Sequence, residues 1–498
     1  MRASLKQFHL LQPVAVLLLI SAVAAFHFCT RLPNYYWGGS DIGLYLMHAR
    51  NIVLGRPYSH TLFVFNPHAA AESPITYPPL YPLLLAPLLR VYGLDIQSFK
   101  LLNVGFFAVM LLALFFLARR SLGFARALLL LAVVGFLPLY WETKDMLLPD
   151  VPYTAFTACA LAALAETYAR GLNRIRPGLA GAAVGLLIGL SYACRSIGIV
   201  LLIAALACDL LKSKALSRFA VSIGLTFALC LMGIRLIGHR DNSYLFMWLT
   251  TPHHFIANVV EYLKAADYIF PFSDTGTLTR ILLVTFTLIA GIGFCSKLKR
   301  SLQATEGYFA LYLLMLVIWS PGVGIRYLVP IVWLYLYYIF AGVRAVSLKS
   351  SPWVSRAAFA MLATVFAFNY VLRYHAVVPR FKHFDADAYH LNTRYGLLQR
   401  SFQDLCVFID RTTKPNDGFL FENPRMLAFL ADRPAVKYSS SGEPANEWPL
   451  YSKLGVTYLV INKGDPADAI SVQPLTRWLP TERVFANRDY ELYRIVQR

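Results

Sequence analysis

An aspartate and a histidine near the N-terminus have the residue types and spacing for proton transfer. Asp41 opens a stripe of apolar residues at the i, i+3, i+4, i+7 spacing of an amphipathic helix on a membrane surface, and His48 falls on the same face. A carboxylate there could act as the general base for an incoming hydroxyl. Asp41 could equally be the N-cap of the helix, with Ser40 as an alternative cap. The residue types leave both interpretations open.

A second charged group lies in one short loop and contains Glu142, Lys144, Asp145 and Asp150. Carboxylates this close in sequence could hold a divalent cation or orient sugar hydroxyls through charged hydrogen bonds. Asp145 and Asp150 are therefore the candidate metal ligands, and a divalent metal ion is the one cofactor that the sequence suggests. The alternative is a loop that is polar merely because it ends two helices.

Two isolated arginines, Arg195 and Arg326, lie at the edges of long apolar runs. If those runs cross a membrane, an ionisable residue at that depth is a candidate for function, and a guanidinium can bind phosphate through two parallel hydrogen bonds. The alternative is that both side chains extend to the lipid headgroups.

The composition supports a membrane setting. The chain of 498 residues is 57% hydrophobic and 15% charged, whereas soluble domains carry about 25% charge, so a soluble enzyme is excluded. Residues 79–93 contain three prolines and are too short to span, so we expect an interfacial or re-entrant piece of a first outer loop, residues 30–99. The remaining pattern predicts an all-α polytopic membrane protein with about eleven spans, near 10–29, 100–118, 124–141, 152–169, 178–194, 196–211, 217–237, 277–295, 305–320, 326–344 and 355–373.

The positive charge indicates the orientation of these spans. The net charge is +19, and the excess lies in short basic loops of the first 373 residues, such as the one at Arg119 and Arg120. Such loops stay in the cytoplasm, so the N-terminus is expected inside and the C-terminus outside. Most acidic residues of this part then face the outer side, where we expect any carboxylate chemistry.

The last part of the chain has the character of a soluble domain. Its helical pattern ends near residue 409, strand patterns follow at 419–421 and 456–461, and a hairpin is indicated about 487–489. We therefore divide the chain into a transmembrane domain, residues 1–373, and a small outer α/β domain, residues 374–498.

Taken in order, these features resemble the GT-C superfamily of membrane glycosyltransferases. The nearest branch contains protein O-mannosyltransferases and the bacterial lipid A aminoarabinose transferase. Two departures stand out: many mannosyltransferases carry an acidic pair where Ser40 precedes Asp41, and the aminoarabinose enzymes have a charged residue where Tyr77 precedes two prolines. The matching features are Asp41, the Tyr77-Pro78-Pro79 motif, Asp145 to Pro152, Arg195, Arg326-Tyr327-Leu328-Val329-Pro330, and Glu422-Asn423-Pro424-Arg425.

The resemblance implies inverting transfer of one sugar from a polyprenyl-phosphate donor to a hydroxyl of a glycan, lipid or protein. The setting would be the periplasmic face of a bacterial inner membrane, with membrane lipids, donor and acceptor as partners and no nucleic acid. Asp41 would take the acceptor proton. A transporter or flippase, and a polymerase or ligase of lipid-linked glycans, are the alternatives. The expected donor-binding residues are His48, Tyr77, Asp145, Asp150, Arg195, Arg326 and Tyr327.

Overall fold

The structure is a computed structural model. It describes residues 2–33, 35–36, 40–72, 75–172, 176–238, 248–249, 254–265, 269, 276–300, 302–319, 324–347, 351–382, 397–439 and 443–496. Helices dominate it, and they are α1 Arg2–Cys29, α2 Asp41–Leu54, α3 Leu80–Tyr92, α4 Ile96–Leu122, α5 Phe124–Gly135, α6 Pro138–Thr143, α7 Asp150–Arg170, α8 Pro177–Cys194, α9 Ile199–Ser213, α10 Arg218–Leu236, α11 Phe255–Ala265, α12 Gly276–Arg300, α13 Ala304–Ile318, α14 Val329–Ser347, α15 Pro352–Lys382, α16 Arg400–Thr412, α17 Pro424–Ala431, α18 Pro444–Lys453, α19 Pro466–Ser471 and α20 Gln473–Trp478.

The chain is a multi-pass helical membrane protein, as its composition predicts. Three of the eleven expected spans coincide with α5, α7 and α13, which are shorter or less apolar than the others. Helix α3 has 13 residues and is about 20 Å long, too short for about 30 Å of hydrocarbon. Within the described residues, eight segments are long and apolar enough to span: Gln12–Cys29, Ile96–Leu122, Pro177–Cys194, Ser196–Ser213, Arg218–Leu236, Gly276–Arg300, Ile325–Ser347 and Pro352–Pro379.

Small residues bring two of these helices into backbone contact. Gly181, Gly185 and Gly189 form one stripe of α8 that faces α10, and a Cβ at Gly185 would lie 2.7 Å from the carbonyl oxygen of Ile223. Without a hydrophobic force between helices in lipid, such close packing supplies the association energy. It fixes the end of α8, and the next residue after that end is Arg195.

A six-stranded sheet joins the first loop to the C-terminal part. Its strands are β1 Phe63–Val64, β2 Gly418–Leu420, β3 Ala435–Val436, β4 Val456–Asn462, β5 Thr481–Ala486 and β6 Tyr490–Ile495, in the order β1-β3-β2-β4-β6-β5. The first four are parallel, and β6 and β5 are antiparallel. The expected tail strands and hairpin are confirmed. Strand β1 belongs to the first loop but pairs with β3 of the C-terminal part. Helix α15 continues past residue 373 to Lys382.

Helix α2 forms where the apolar stripe predicts it, and the protein itself covers it on more than one side. Leu44, Leu46, Met47 and Ala49 are all at most 1% exposed, although they point in different directions around the helix. The helix is enclosed because α3 packs against it on one side and α17 on another. At Gly43 the approach is closest, since a Cβ there would lie 2.7 to 2.9 Å from backbone atoms of α17.

Gly43→Ala should therefore loosen the C-terminal domain from the membrane part. The new methyl meets backbone rather than a mobile side chain, so we expect overpacking of about 1–3 kcal/mol. Gly105→Ala on α4 is the matched control, because a Cβ there has no neighbour within 4 Å. Limited proteolysis of the detergent-purified proteins measures release of the C-terminal domain. Equal resistance of the two variants would contradict this packing.

Candidate active site

Five charged side chains form a continuous series of ion pairs between the membrane helices and the C-terminal domain. Asp41 Oδ1 accepts from Arg425 Nη1 at 2.9 Å, and Asp41 Oδ2 accepts from Arg326 Nη1 at 2.7 Å. Arg326 Nε donates to Asp150 Oδ2 at 3.0 Å. Arg195 donates to the other oxygen of Asp150. Three cations thus surround two anions, which leaves the cluster positive and suited to an anionic ligand.

Helix ends position these groups. Asp41 and Asp150 are the first residues of α2 and α7, where the helix dipole stabilises negative charge. Arg195 lies between α8 and a short 3₁₀ turn, and Arg326 lies in the 3₁₀ turn Ile325–Leu328 that leads into α14. Every charge of the cluster therefore stands at a break between helices rather than midway along a span.

Aromatic rings hold the charged groups in place. The Tyr77 hydroxyl donates to Asp41 Oδ1 at 2.6 Å, and its ring stacks on Tyr45 with 4.2 Å between centroids. The Arg195 and Arg326 guanidinium carbons lie 5.5 and 6.0 Å from the centroid of the Tyr327 ring. These contacts orient the charged groups without satisfying their charge.

The two carboxylates of the cluster differ in accessibility to solvent. The Asp150 side chain is 1% exposed, whereas the Asp41 side chain is 23% exposed. Burial alone would raise the pKa of the Asp41 carboxyl, but the Arg326 and Arg425 guanidiniums lower that pKa below its usual value. The two arginines therefore favour the ionised form of Asp41, whose carboxylate is partly open to solvent, whereas the Asp150 carboxylate is buried between two arginines.

The structure brings together six of the residues singled out in the sequence: Asp41, Tyr77, Asp150, Arg195, Arg326 and Tyr327. For Asp41, the carboxylate turns toward guanidiniums rather than capping its helix. For Arg195 and Arg326, the guanidiniums point into the protein, so they do not extend to the headgroups.

His48 is bonded to the backbone of the first loop, including the N–H of Tyr77 in the site, and its expected part in donor binding stays a prediction. The side chain is fully buried. Its Nδ1 lies 2.8 Å from the carbonyl oxygen of Tyr58, and its Nε2 accepts from the backbone N–H of Tyr77 at 3.1 Å. Because both ring nitrogens are used, His48 is a neutral positioning residue that holds the backbone of Tyr77.

The structure also separates Asp145 from Asp150, so the two residues do not fit a shared metal ion. Asp145 is paired with Lys100 at 3.0 Å and with Lys144 at 2.5 Å, and it accepts from the N–H of Leu32. These ammonium groups take the places that a cation would need. The described part of the chain contains no group of three or more His, Cys, Asp or Glu residues that could hold a metal.

Arg425 is the member of the charged cluster that the sequence analysis did not include among its candidate site residues. It is 1% exposed, and its guanidinium lies 5.0 Å from the Phe63 ring centroid in addition to its contact with Asp41. One signal was available in the sequence: Arg425 falls in the first turn of α17, where a cation opposes the helix dipole. A residue in such a position needs a partner elsewhere.

Comparison of sequences finds no family model that matches the chain and no similar curated protein. Comparison of structures does find relatives. ArnT from Cupriavidus metallidurans bound to undecaprenyl phosphate superposes with a TM-score of 0.58 and 12% identity over 96% of this chain and 97% of that one. The oligosaccharyltransferase of Archaeoglobus fulgidus superposes with a TM-score of 0.57 and 12% identity over 90% of this chain and 69% of that one. It has also been crystallised with Zn and sulfate.

A third structure, the arabinofuranosyltransferase AftD from mycobacteria, gives a TM-score of 0.51 and 14% identity over 97% of this chain and 41% of that one. The expected resemblance is confirmed at the level of fold: the chain has the GT-C fold of membrane glycosyltransferases. Identities this low show a common fold and nothing finer.

Asp150→Asn should destabilise the protein far more than Glu166→Gln on the same helix. Asp150 is buried between two arginines, and breaking such a pair costs about 3–5 kcal/mol. Glu166 is one-third exposed and pairs with Arg120 and Arg170, where a surface pair contributes about 0–1 kcal/mol. Thermal unfolding in detergent compares the two. Equal losses would show that the Asp150 pairs do not hold the site together.

Proposed function

We propose that this protein transfers a single sugar from a polyprenyl-phosphate donor to a hydroxyl acceptor on a glycan, lipid or protein. The observation that carries the proposal is a positive cluster with one partly exposed carboxylate, linked to an apolar groove by the 3₁₀ turn that contains both Arg326 and Leu328. The proposed setting is the periplasmic face of a bacterial inner membrane. Mass spectrometry of envelope glycans and glycoproteins from cells with and without the protein tests it, and unchanged glycans would overturn it.

The groove supports a lipid-linked donor. It has a volume of about 500 Å³ and lies among helices α11 to α14, within the range of about 300–1,000 Å³ for ligand sites. Its walls are almost entirely apolar and include Leu283, Phe294 and Ile331. Leu328 also lines it, and this residue shares the 3₁₀ turn with Arg326. A phosphate bound at Arg326 would therefore carry its prenyl chain into the groove.

The proposed reaction is a direct displacement at the anomeric carbon. The acceptor oxygen forms the new bond as the bond between the anomeric carbon and the phosphate oxygen breaks, so the configuration inverts. Phosphate is a good leaving group, and Arg195 and Arg326 would stabilise the charge that develops on it without a general acid. Asp41 would accept the acceptor's proton.

The alternative functions differ in what they require. A transporter or flippase for lipid-linked sugars would place ionisable residues along its spans, whereas the charges of the site stand at helix ends. A polymerase or ligase would use the same face but bind a lipid-diphosphate oligosaccharide. Comparing the affinities for polyprenyl monophosphate and diphosphate sugars separates this last alternative from the proposal.

Asp41→Asn should reduce turnover by about 10² to 10⁴, the usual range for a lost general base. Donor affinity should not fall, because Arg326 and Arg425 lose a competing anion. Asp432→Asn is the matched control, since Asp432 pairs with Arg50 on the same helix as Asp41 but is 45% exposed. Mass spectrometry of the product glycans measures turnover, and titration of the donor measures donor affinity. Near-normal turnover of Asp41→Asn would contradict the role of Asp41 as general base.

Arg326→Lys should weaken binding of polyprenyl phosphate less than Arg326→Ala. Lysine keeps the charge but loses the forked geometry of the guanidinium, and losing a charged hydrogen bond costs about 1.5–3 kcal/mol. Arg50→Ala is the control, because Arg50 also links α2 to the C-terminal domain. Titration of polyprenyl phosphate into the detergent-purified proteins measures these affinities and ranks the variants. Equal affinity in wild type and both Arg326 variants would place the phosphate elsewhere.

A further inference from the structure

A second groove lies at the end of the helix bundle away from the first loop. Helix α4 begins beside that loop at Ile96 and carries Arg119 and Arg120 in its last turn, about 35 Å further along the helix axis. Between this last turn, α1 and the start of α5 is a cavity of about 630 Å³. It shares no residue with the groove described above.

The walls of this second groove are apolar, and its mouth is basic. On α4, Leu112, Phe115, Phe116 and Arg119 follow the i, i+3, i+4, i+7 spacing of one helix face. On α1, Val16 and Leu17 face them. Val16 and Phe115 are buried and form the floor, while Leu17, Leu112 and Phe116 are 38 to 59% exposed at the rim. A rim of this kind is suited to a hydrocarbon chain rather than to water.

The mouth has an excess of positive charge. Arg120 Nε lies 3.3 Å from Glu166 Oε2, and Arg170 Nε lies 2.8 Å from Glu166 Oε1, so two arginines share one carboxylate. The Arg119 guanidinium carbon lies 4.8 Å from the centroid of the Phe116 ring, which places a third cation on the wall of the groove. A basic pocket between membrane helices is the setting in which anionic headgroups bind.

We propose that this groove binds one anionic diacyl phospholipid, with its phosphate at Arg119 and Arg120 and one acyl chain between α1 and α4. The charge selects an anion, and the apolar walls select a lipid, because they would add nothing to the binding of a free inorganic anion. Pro13 also lines the groove. Since proline lacks an N–H, it interrupts the hydrogen bonding of α1 at this level and allows that helix to bend away from α4. The inference does not depend on the proposed transfer reaction.

Native mass spectrometry of the delipidated full chain, with dioleoyl phosphatidylglycerol or dioleoyl phosphatidylcholine added, tests the proposal. Wild type should retain phosphatidylglycerol in preference to phosphatidylcholine. The double variant R119Q/R120Q should bind phosphatidylglycerol about tenfold or more weakly than wild type. The single variant R119Q should also bind it more weakly than wild type, although it keeps the ion pair between Arg120 and Glu166. Inorganic phosphate at the same concentration should not compete.

Two controls distinguish binding in this groove from non-specific attraction of the anionic lipid to positive charge. K299Q/R300Q removes the same charge from the exposed end of α12, outside the groove, and should bind phosphatidylglycerol as wild type does. Leu17→Trp keeps every charge but fills the groove, so it should weaken retention of phosphatidylglycerol. The proposal is overturned if both double variants lose binding equally, if Leu17→Trp binds normally, or if wild type shows no preference for the anionic lipid.

Discussion

The Arg326 guanidinium is the contact on which the site depends. It bridges two carboxylates from different parts of the chain, Asp41 of the first loop through Nη1 and Asp150 of a membrane helix through Nε. Only a planar side chain with several fixed donors can hold two anions in this way. Arg195 and Arg425 complete the outer ends of the series. The first loop, the membrane helices and the C-terminal domain therefore meet in one set of ion pairs.

The apolar runs, the first-loop helix and the tail strands follow local patterns, and they could be predicted from the sequence for that reason. The pairing of charges could not. Asp145 and Asp150 stand in the same loop, but Asp150 begins α7 and turns toward Arg326, while Asp145 precedes that helix and meets Lys100 from α4. Which cation a carboxylate faces depends on how distant helices pack, and this leaves no trace in local spacing.

His48 and Arg425 show the same limit of local sequence patterns: His48 was expected in the site but bonds to the backbone beside it, and Arg425 was not expected but lies in the charged cluster. His48 shares a helix face with Asp41, as its spacing predicts, but the backbone at Tyr58 and Tyr77 folds over it and takes both ring nitrogens. Arg425 is distant in sequence from every other member of the site, and it enters because β1, only two residues long, joins the sheet of the C-terminal domain. A strand that short has no periodicity to detect.

The shared sheet also sets the order of events during synthesis. Asn66, just after β1, donates to the carbonyl of Lys437, 371 residues later, and Asp41 and Arg425 are 384 residues apart. At about 5–20 residues per second, the ribosome needs tens of seconds to cover that interval. Until then the first loop lacks its neighbouring strand, and the carboxylate of Asp41 lacks one of its cations. A partly made chain therefore lacks the complete charged cluster, which forms only when translation is nearly complete.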